Sequence, residues 1–234
     1  MTQYKTYNND LTFNEYLVKT FVEMTKGLTI TTLVAFVFSF FFIDIVMFLR
    51  GAYTWLSFGL LLAELFCAYK LSSSLNSLSN TNTKAYYYGY CVLTGLSLSS
   101  IFVLYTDVVL WLSFGLTALM FATMAFIGHN TKTDLTQFGG IVRTGLIGLI
   151  IASLVNMFFQ SDTMTWLVSY AGIIIFMFII AYDIQTLRNY YTMGFYSNEL
   201  GEKAMVIGAF QLYLDFINLF IRILRILSMS RDRN

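Results

Sequence analysis

The sequence contains no proline and little charge, and both shortages narrow the class of protein. None of its 234 residues is Pro, and Asp, Glu, Lys and Arg together make up 12% of the chain. A soluble globular domain carries about twice that charged fraction. Hydrophobic residues make up 57% of the chain, and the mean hydropathy is +0.67. These values exclude an ordinary soluble domain and indicate a polytopic membrane protein made of uninterrupted helices.

The scarcity of metal ligands and of basic runs excludes further classes. His129 is the only histidine, and the two cysteines, Cys67 and Cys91, lie in or beside apolar stretches. We interpret the cysteines as small packing residues rather than as a disulfide or a metal pair. The net charge is +1 and no run of Lys and Arg occurs. We therefore expect no cofactor and no nucleic-acid partner.

Apolar windows of suitable length divide the chain into membrane spans. A helix needs about 20 apolar residues to cross a bilayer. Seven windows qualify, at 28–49, 53–70, 86–106, 108–127, 141–159, 165–187 and 204–227. We predict an all-α integral membrane protein with seven transmembrane helices over 28–227, a cytoplasmic segment over 1–27 and a short polar tail over 228–234. Thr106 and Asp107 alone separate the third and fourth spans, which predicts a tight antiparallel hairpin.

The distribution of Lys and Arg predicts the orientation, because cytoplasmic loops carry an excess of both. With the N-terminus inside, the inner segments hold Lys5, Lys19, Lys26, Lys70, Lys84, Lys132, Arg143, Arg188 and Lys203. The outer loops hold only Arg50. Seven full crossings would place Arg222, Arg225, Arg231 and Arg233 at or beyond the outer end of the last helix. Either that helix crosses against the rule or it does not cross completely, and we favour seven crossings.

The last span carries a stripe of polar residues. The stripe consists of Gln211, Asp215, Asn218, Arg222 and Arg225, at spacings of four, three, four and three. Residues at these spacings share one helix face. Because unpaired polar groups in lipid are costly, we expect the stripe to face inward, with six helices wrapped around a central C-terminal one. Interhelical hydrogen bonds explain Gln211 and Asn218 well, but an acid in mid-membrane needs a cation or a proton as well.

A second acid, Asp183, ends the preceding apolar run and has two interpretations. It could reach headgroup water or pair with Arg188, or it could meet Asp215. Two close carboxylates cannot both ionise cheaply, so such a pair would share a proton and could also hold a divalent cation such as Ca²⁺. We hypothesise that Asp183 and Asp215 meet and form this proton and cation site.

Several stretches resemble the transmembrane Bax-inhibitor-motif family, especially its bacterial members. They are Leu212-Tyr213-Leu214-Asp215-Phe216-Ile217-Asn218-Leu219-Phe220, Tyr182-Asp183-Ile184-Gln185, Gly95-Leu96-Ser97-Leu98-Ser99-Ser100, Thr131-Lys132-Thr133-Asp134-Leu135 and Gly148-Leu149-Ile150-Ile151-Ala152-Ser153-Leu154-Val155-Asn156. Glu64 resembles the acid that many members carry in the second span. The resemblance covers residues 20 to 228.

The resemblance implies a pH-sensitive calcium leak in a seven-helix fold, with Asp183 and Asp215 as the proton-sensing pair that forms the gate. Bacterial relatives can carry a basic latch residue at the inner end of the second helix, where this chain has no arginine and Lys70 is the nearest basic residue. Glu64 has two open readings, a second acid on the cation path or a protonated acid bonded to a neighbouring helix. Gln211, Asn218 and Arg222 complete the predicted ion path or polar network. We place the protein in the bacterial cytoplasmic membrane.

Two other functions were weighed against the leak. Intramembrane aspartyl proteases also place two aspartates on adjacent helices, and Tyr182-Asp183 fits their pattern. Leu212-Tyr213-Leu214-Asp215 lacks their Gly-x-Gly-Asp motif, and a chain without proline cannot contain their Pro-Ala-Leu element, so we expect no enzyme. The stronger alternative is a membrane scaffold that regulates stress or cell-death partners, of unknown identity, without transport of its own.

Overall fold

The computed structural model of the chain describes residues 11–42, 44, 54–73, 80–192 and 199–231. Within these ranges the chain forms seven α-helices and one short 3₁₀ turn, and no strand. The helices are α1 (Phe13–Phe41), α2 (Thr54–Ser72), α3 (Asn80–Leu104), α4 (Asp107–Asn130), α5 (Gly139–Phe159), α6 (Asp162–Thr192) and α7 (Glu199–Arg231). The 3₁₀ turn, Leu135–Phe138, lies between α4 and α5.

Each predicted span coincides with one of these helices, so the all-α prediction is confirmed. Six of the helices (all except α2) are long and apolar enough to cross a membrane. The structure places a helix of 19 residues, α2, at the predicted second span, and its crossing stays a prediction. Lys5, Arg50 and Arg233, the outer end of the first span (45–49) and parts of the two terminal segments (1–10, 232–234) lie outside the described residues.

The first helix begins earlier than the apolar pattern predicts. It starts at Phe13 rather than near residue 28, because Thr12 and Glu15 form a capping box. The Glu15 backbone N–H donates to Thr12 Oγ1 at 3.3 Å, and the Thr12 backbone N–H donates to Glu15 Oε2 at 2.8 Å. Such reciprocal bonds satisfy backbone donors that a helix N-terminus leaves open. The polar residues before 28 therefore belong to the same helix as the apolar run.

The chain divides into two compact units, of which the first comprises Met1–Ser100 and Leu187–Phe210. Its helices approach closely where side chains are small. A Cβ atom at Gly27 would collide with the hydroxyl group of Tyr87, and one at Gly208 would collide with the side chain of Leu187. Thr31 Oγ1 donates to the Cys91 carbonyl oxygen at 2.9 Å. Glycine and threonine therefore let α1, α3, α6 and α7 pack at short range within this unit.

The second unit comprises Ile101–Thr186 and Gln211–Asn234. One of its apolar clusters is formed by Val109, Leu110 and Leu224, with Ile101, Phe102, Tyr105, Phe220 and Leu227 packed against them. The end of α3 and the start of α4 are joined by Tyr105 and Thr106 alone, which confirms the predicted tight connection. Farther along α4, Phe216 of α7 packs against Phe114 and Phe121 at ring-centroid distances of 5.6 and 5.7 Å.

Helices α5 and α6 are joined by a link that is held by local hydrogen bonds. Gln160 ends α5 in the left-handed conformation, with φ of 48°, and its backbone N–H donates to the Asn156 carbonyl oxygen at 2.8 Å. The Asn156 side chain accepts from the Ser161 backbone N–H at 3.2 Å and donates to Thr165 Oγ1 at 2.7 Å. One asparagine thus connects both helix ends, and every partner lies within ten residues of it in sequence.

Two glycines of α4 provide a matched test of close helix packing. A Cβ atom at Gly128 would lie 2.5 Å from the Ala181 carbonyl oxygen on α6, whereas one at Gly115 would meet nothing within 4 Å. We expect Gly128→Ala to destabilise the protein by about 1–3 kcal/mol, because backbone must move to admit the methyl group. Gly115→Ala should instead stabilise α4 by about 0.5–1 kcal/mol. Thermal unfolding of both variants measures the difference, and equal melting temperatures would contradict the close contact.

Candidate functional site

The structure brings the carboxyl groups of Asp183 and Asp215 together in the second unit. The two carboxyl groups lie within hydrogen-bonding reach of each other. Both residues are buried, with exposed fractions of 8% for Asp183 and 4% for Asp215. The alternative in which Asp183 only reaches headgroup water therefore does not describe this arrangement.

The local sequence explains why both acids are buried. Asp215 lies among large side chains of α7 that are fully buried, namely Leu212, Tyr213 and Leu219. Asp183 lies in a turn of α6 in which Ala181, Ile184 and Leu187 are also buried. Each acid has buried apolar residues before and after it in its helix. A helix that packs so as to bury these residues also buries the acid between them. Burial of the pair thus follows from the apolar neighbours of each aspartate, although the acids themselves oppose it.

A hydrogen bond between two carboxyl groups requires a proton on one of them. An ionised carboxylate only accepts hydrogen bonds, whereas a protonated carboxyl group also donates one. The contact between Asp183 and Asp215 is therefore favourable when at least one of the two groups is protonated. If both groups lost their protons, the contact would become a repulsion between like charges.

Two oxygen atoms at this site, one of them in the carboxyl pair itself, have no hydrogen-bond partner among the described residues. They are Asp215 Oδ2 and Gln211 Oε1, both buried, one turn apart on the same face of α7. Oxygen atoms are the ligands that Ca²⁺ prefers, but Ca²⁺ takes six to eight of them. No group of three or more His, Cys, Asp or Glu that could hold a metal occurs in the part of the chain that the structure describes. Two such oxygen atoms are too few for a complete Ca²⁺ site among the described residues.

The other residues of the stripe are half-buried, and none of them is exposed. Asn218 Nδ2 donates to the Leu214 carbonyl oxygen of its own helix at 2.8 Å. Arg222 donates to Ser153 Oγ on α5 at 3.3 Å, and its side chain lies over Gly172 on α6, where a Cβ atom would be 3.1 Å from Arg222 Nε. The stripe of α7 is therefore covered by protein, and Arg222 bonds to α5 rather than to a carboxylate.

Glu64, a predicted member of the ion path or polar network, and Lys70, the basic residue nearest to the position of the family's latch, lie in the first unit. Glu64 is half-buried and accepts a hydrogen bond from Ser97 Oγ on α3 at 2.7 Å. This contact matches the reading in which Glu64 bonds to a neighbouring helix, and its place on a cation path stays a prediction. Lys70 Nζ lies 5.6 Å from the centre of the Phe66 ring, one turn earlier on α2. This contact lies within α2 and joins Lys70 to no other helix.

Gln185 is a further residue beside the site, to which the sequence pattern assigned no role. It is buried on α6, two residues after Asp183. Its side-chain amide forms hydrogen bonds to the segment between α4 and α5. In the same segment the hydroxyl and backbone N–H groups of Thr136 donate to Asp134 and hold the pKa of that carboxyl below its usual value. A long polar side chain at a buried helix position is the signal that could have indicated Gln185, since such a group needs a partner.

The chain has helices that can cross a membrane, and it has a buried carboxyl pair. Together these features define the class of protein as a multi-span membrane protein with an internal acidic site. The family model described as inhibitor of apoptosis-promoting Bax1 matches residues 13–232. The chain therefore belongs to the Bax inhibitor-1-like family, and the resemblance seen in its motifs is confirmed.

Three relatives illustrate the extent of the similarity. The inner membrane protein YbhL of Escherichia coli K12 is 41% identical over 177 residues, which is 74% of each chain. An uncharacterized protein of Borreliella burgdorferi is 38% identical over 221 residues, which is 94% of each chain. An uncharacterized protein of Deinococcus radiodurans is 34% identical over 232 residues, or 99% of this chain and 96% of the relative. The similarity thus extends over nearly the whole chain.

Substitutions of Asp215 should separate the loss of charge from the loss of hydrogen bonding. The amide of Asp215→Asn can donate to the Asp183 carboxylate, so the contact survives without a shared proton. Asp215→Leu leaves the buried Asp183 without this partner, which costs about 1–3 kcal/mol. We expect the melting temperature of Asp215→Leu to fall below that of Asp215→Asn at neutral pH. A leucine variant as stable as the asparagine variant would show that the contact contributes nothing to stability.

Proposed function

We propose that the protein is a pH-sensitive calcium leak channel, gated by the carboxyl pair on α6 and α7. The observation that carries this proposal is the direct contact of Asp183 with Asp215 inside the second unit. Membership of the Bax inhibitor-1-like family supports it, because the resemblance that led to the family implies the same activity. In this proposal protons and Ca²⁺ compete for the carboxyl pair. The lipid bilayer surrounds the protein.

In the proposed closed state the pair shares one proton and its hydrogen bond holds α6 against α7. Loss of that proton places two negative charges side by side in a medium where repulsion is strong. Separation of the two carboxylates relieves the repulsion, so α6 and α7 move apart at this level. The gating contact is thus attractive when the pair shares a proton and repulsive when both carboxyl groups are ionised.

Calcium acts in this proposal as the transported ion. A cation that reaches the separated carboxylates replaces the lost proton as the positive partner of the pair. Asp215 Oδ2 and Gln211 Oε1 then supply oxygen ligands, and water supplies the rest. Because the protein offers so few ligands, the ion is held weakly and can leave on the other side. A passive leak down a gradient requires this weak binding.

We further propose that α7 is the central helix and that six helices surround it. The most apolar window of α7 is 61% buried, whereas the corresponding windows of the other five candidate spans are between 6% and 39% buried. In this proposal the chain lies in the bacterial cytoplasmic membrane, which the similarity to the inner membrane protein YbhL supports, and its N-terminus is inside, which the Lys and Arg distribution favours. In this proposal the two aspartates conduct and gate, and they catalyse no reaction.

Flux through the purified protein tests the proposal directly. The protein is reconstituted alone into liposomes that contain a calcium dye, and influx is followed from about pH 6 to pH 8, where a carboxylate pair that shares a proton can titrate. We expect influx that varies with pH in the wild type. We expect Asp215→Asn to lose the pH response, because the asparagine amide bonds to Asp183 without a titrating proton.

A matched control separates the site from a general effect of charge. Asp107→Asn makes the same chemical change at an exposed acid in the first turn of α4 and should leave the pH profile unchanged. A pH response that persists in Asp215→Asn would refute gating by the pair. If folded wild-type protein gave no influx at any pH, the leak would be refuted, and the scaffold that regulates partner proteins would become the better proposal.

A further inference from the structure

The segment between α4 and α5, residues 131–138, is fastened to α6 by the Gln185 side chain, and its Phe138 also packs against Phe178 of α6 at a ring-centroid distance of 6.1 Å. We call this segment the connector. The backbone N–H of Leu135 donates to Gln185 Oε1 at 2.6 Å, and Gln185 Nε2 donates to the Thr133 carbonyl oxygen at 2.8 Å. Both polar atoms of the Gln185 amide are therefore engaged by backbone groups of the connector, one on either side of Asp134. Such a double contact fixes both the position and the rotation of the amide.

Two further contacts hold the same part of α6 against the neighbouring elements. A Cβ atom at Gly128, near the end of α4, would lie 2.5 Å from the Ala181 carbonyl oxygen. A Cβ atom at Gly139, the first residue of α5, would lie 2.9 Å from the Tyr182 hydroxyl oxygen. The α6 residues before and after Asp183 thus contact the end of α4, the connector and the start of α5 in turn.

We propose that Gln185 is a positioning residue, which fixes the rotation of α6 at Asp183 by binding the connector and so sets the carboxyl contact with Asp215. If α6 rotated alone, the Leu135 N–H and the Thr133 carbonyl group would lose the Gln185 amide as their hydrogen-bond partner. The two hydrogen bonds therefore oppose a rotation of α6 alone. A rotation that keeps them must move the connector together with α6. The consequence for gating rests on the proposed function, whereas the positioning of the carboxyl contact does not.

The experiment reads the carboxyl pair by infrared spectroscopy of the full-length protein in lipid at one fixed pH. The protonated carboxyl band of the pair is identified as the band that is absent from both Asp183→Asn and Asp215→Asn. Gln185→Met has nearly the same size as glutamine but lacks the amide, and we expect it to shift or remove this band. Gln137→Leu changes an exposed glutamine of the connector itself and should leave the band in place.

Amide hydrogen exchange provides the second readout. We expect the Leu135 amide to exchange about tenfold faster in Gln185→Met than in the wild type, as the loss of one hydrogen bond allows. Exchange within α4 should not change. If Gln185→Met does not fold, Gln185→Asn keeps the amide but is one methylene too short to reach both partners, and the same two changes are expected.

An unchanged carboxyl band in a folded Gln185 variant would overturn the proposal, and so would an equal shift in Gln137→Leu. Flux assays on the same samples keep the two proposals apart. Wild-type protein that shows the band but no calcium influx would refute the leak, while the infrared comparison would still decide the role of Gln185. A shifted band together with an altered basal influx would support both.

Discussion

A carboxyl group in the interior of a membrane helix requires a partner, and Asp183 supplies one for Asp215. The contact fixes α6 and α7 at a common level, since a slide of one helical turn would separate the two groups by about 5.4 Å. Other features of the second unit act in the same direction. Phe216 is packed against two rings of α4, and Gly128 admits the α6 backbone at short range. The contact of the two acids and the close packing around it thus act in the same direction.

The sequence was sufficient to predict those parts of the molecule that follow from the cost of exposing polar groups to lipid. The spacing of Gln211, Asp215 and Asn218 identified one face of α7, and that face is covered in the structure. Long apolar runs located the helices for the same reason, because a backbone in lipid must satisfy its own hydrogen bonds. The contact of Asp183 with Asp215 was one of two alternatives that the sequence left open, and the structure buries both acids close together.

Features that depend on backbone partners or on steric fit were not accessible from the pattern. The start of α1 at Phe13 depends on a cap between two side chains, and hydropathy does not register a cap. The importance of Gly128 depends on what lies opposite it, and Gly115 in the same helix has nothing opposite. Gln185 bonds to two backbone groups about fifty residues earlier in sequence. Residue types alone do not indicate such partners.

The link between α5 and α6 has a consequence for the order in which the protein is assembled. Asn156 bonds only to nearby residues, so this helical hairpin can complete its turn as soon as it has been synthesised. Asp183 then lies in a finished hairpin while the ribosome has still to produce Asp215. During that interval the acid must be neutralised by a proton or by a temporary neighbour. The carboxyl contact is consequently a final step of biogenesis, and its formation marks the arrival of α7.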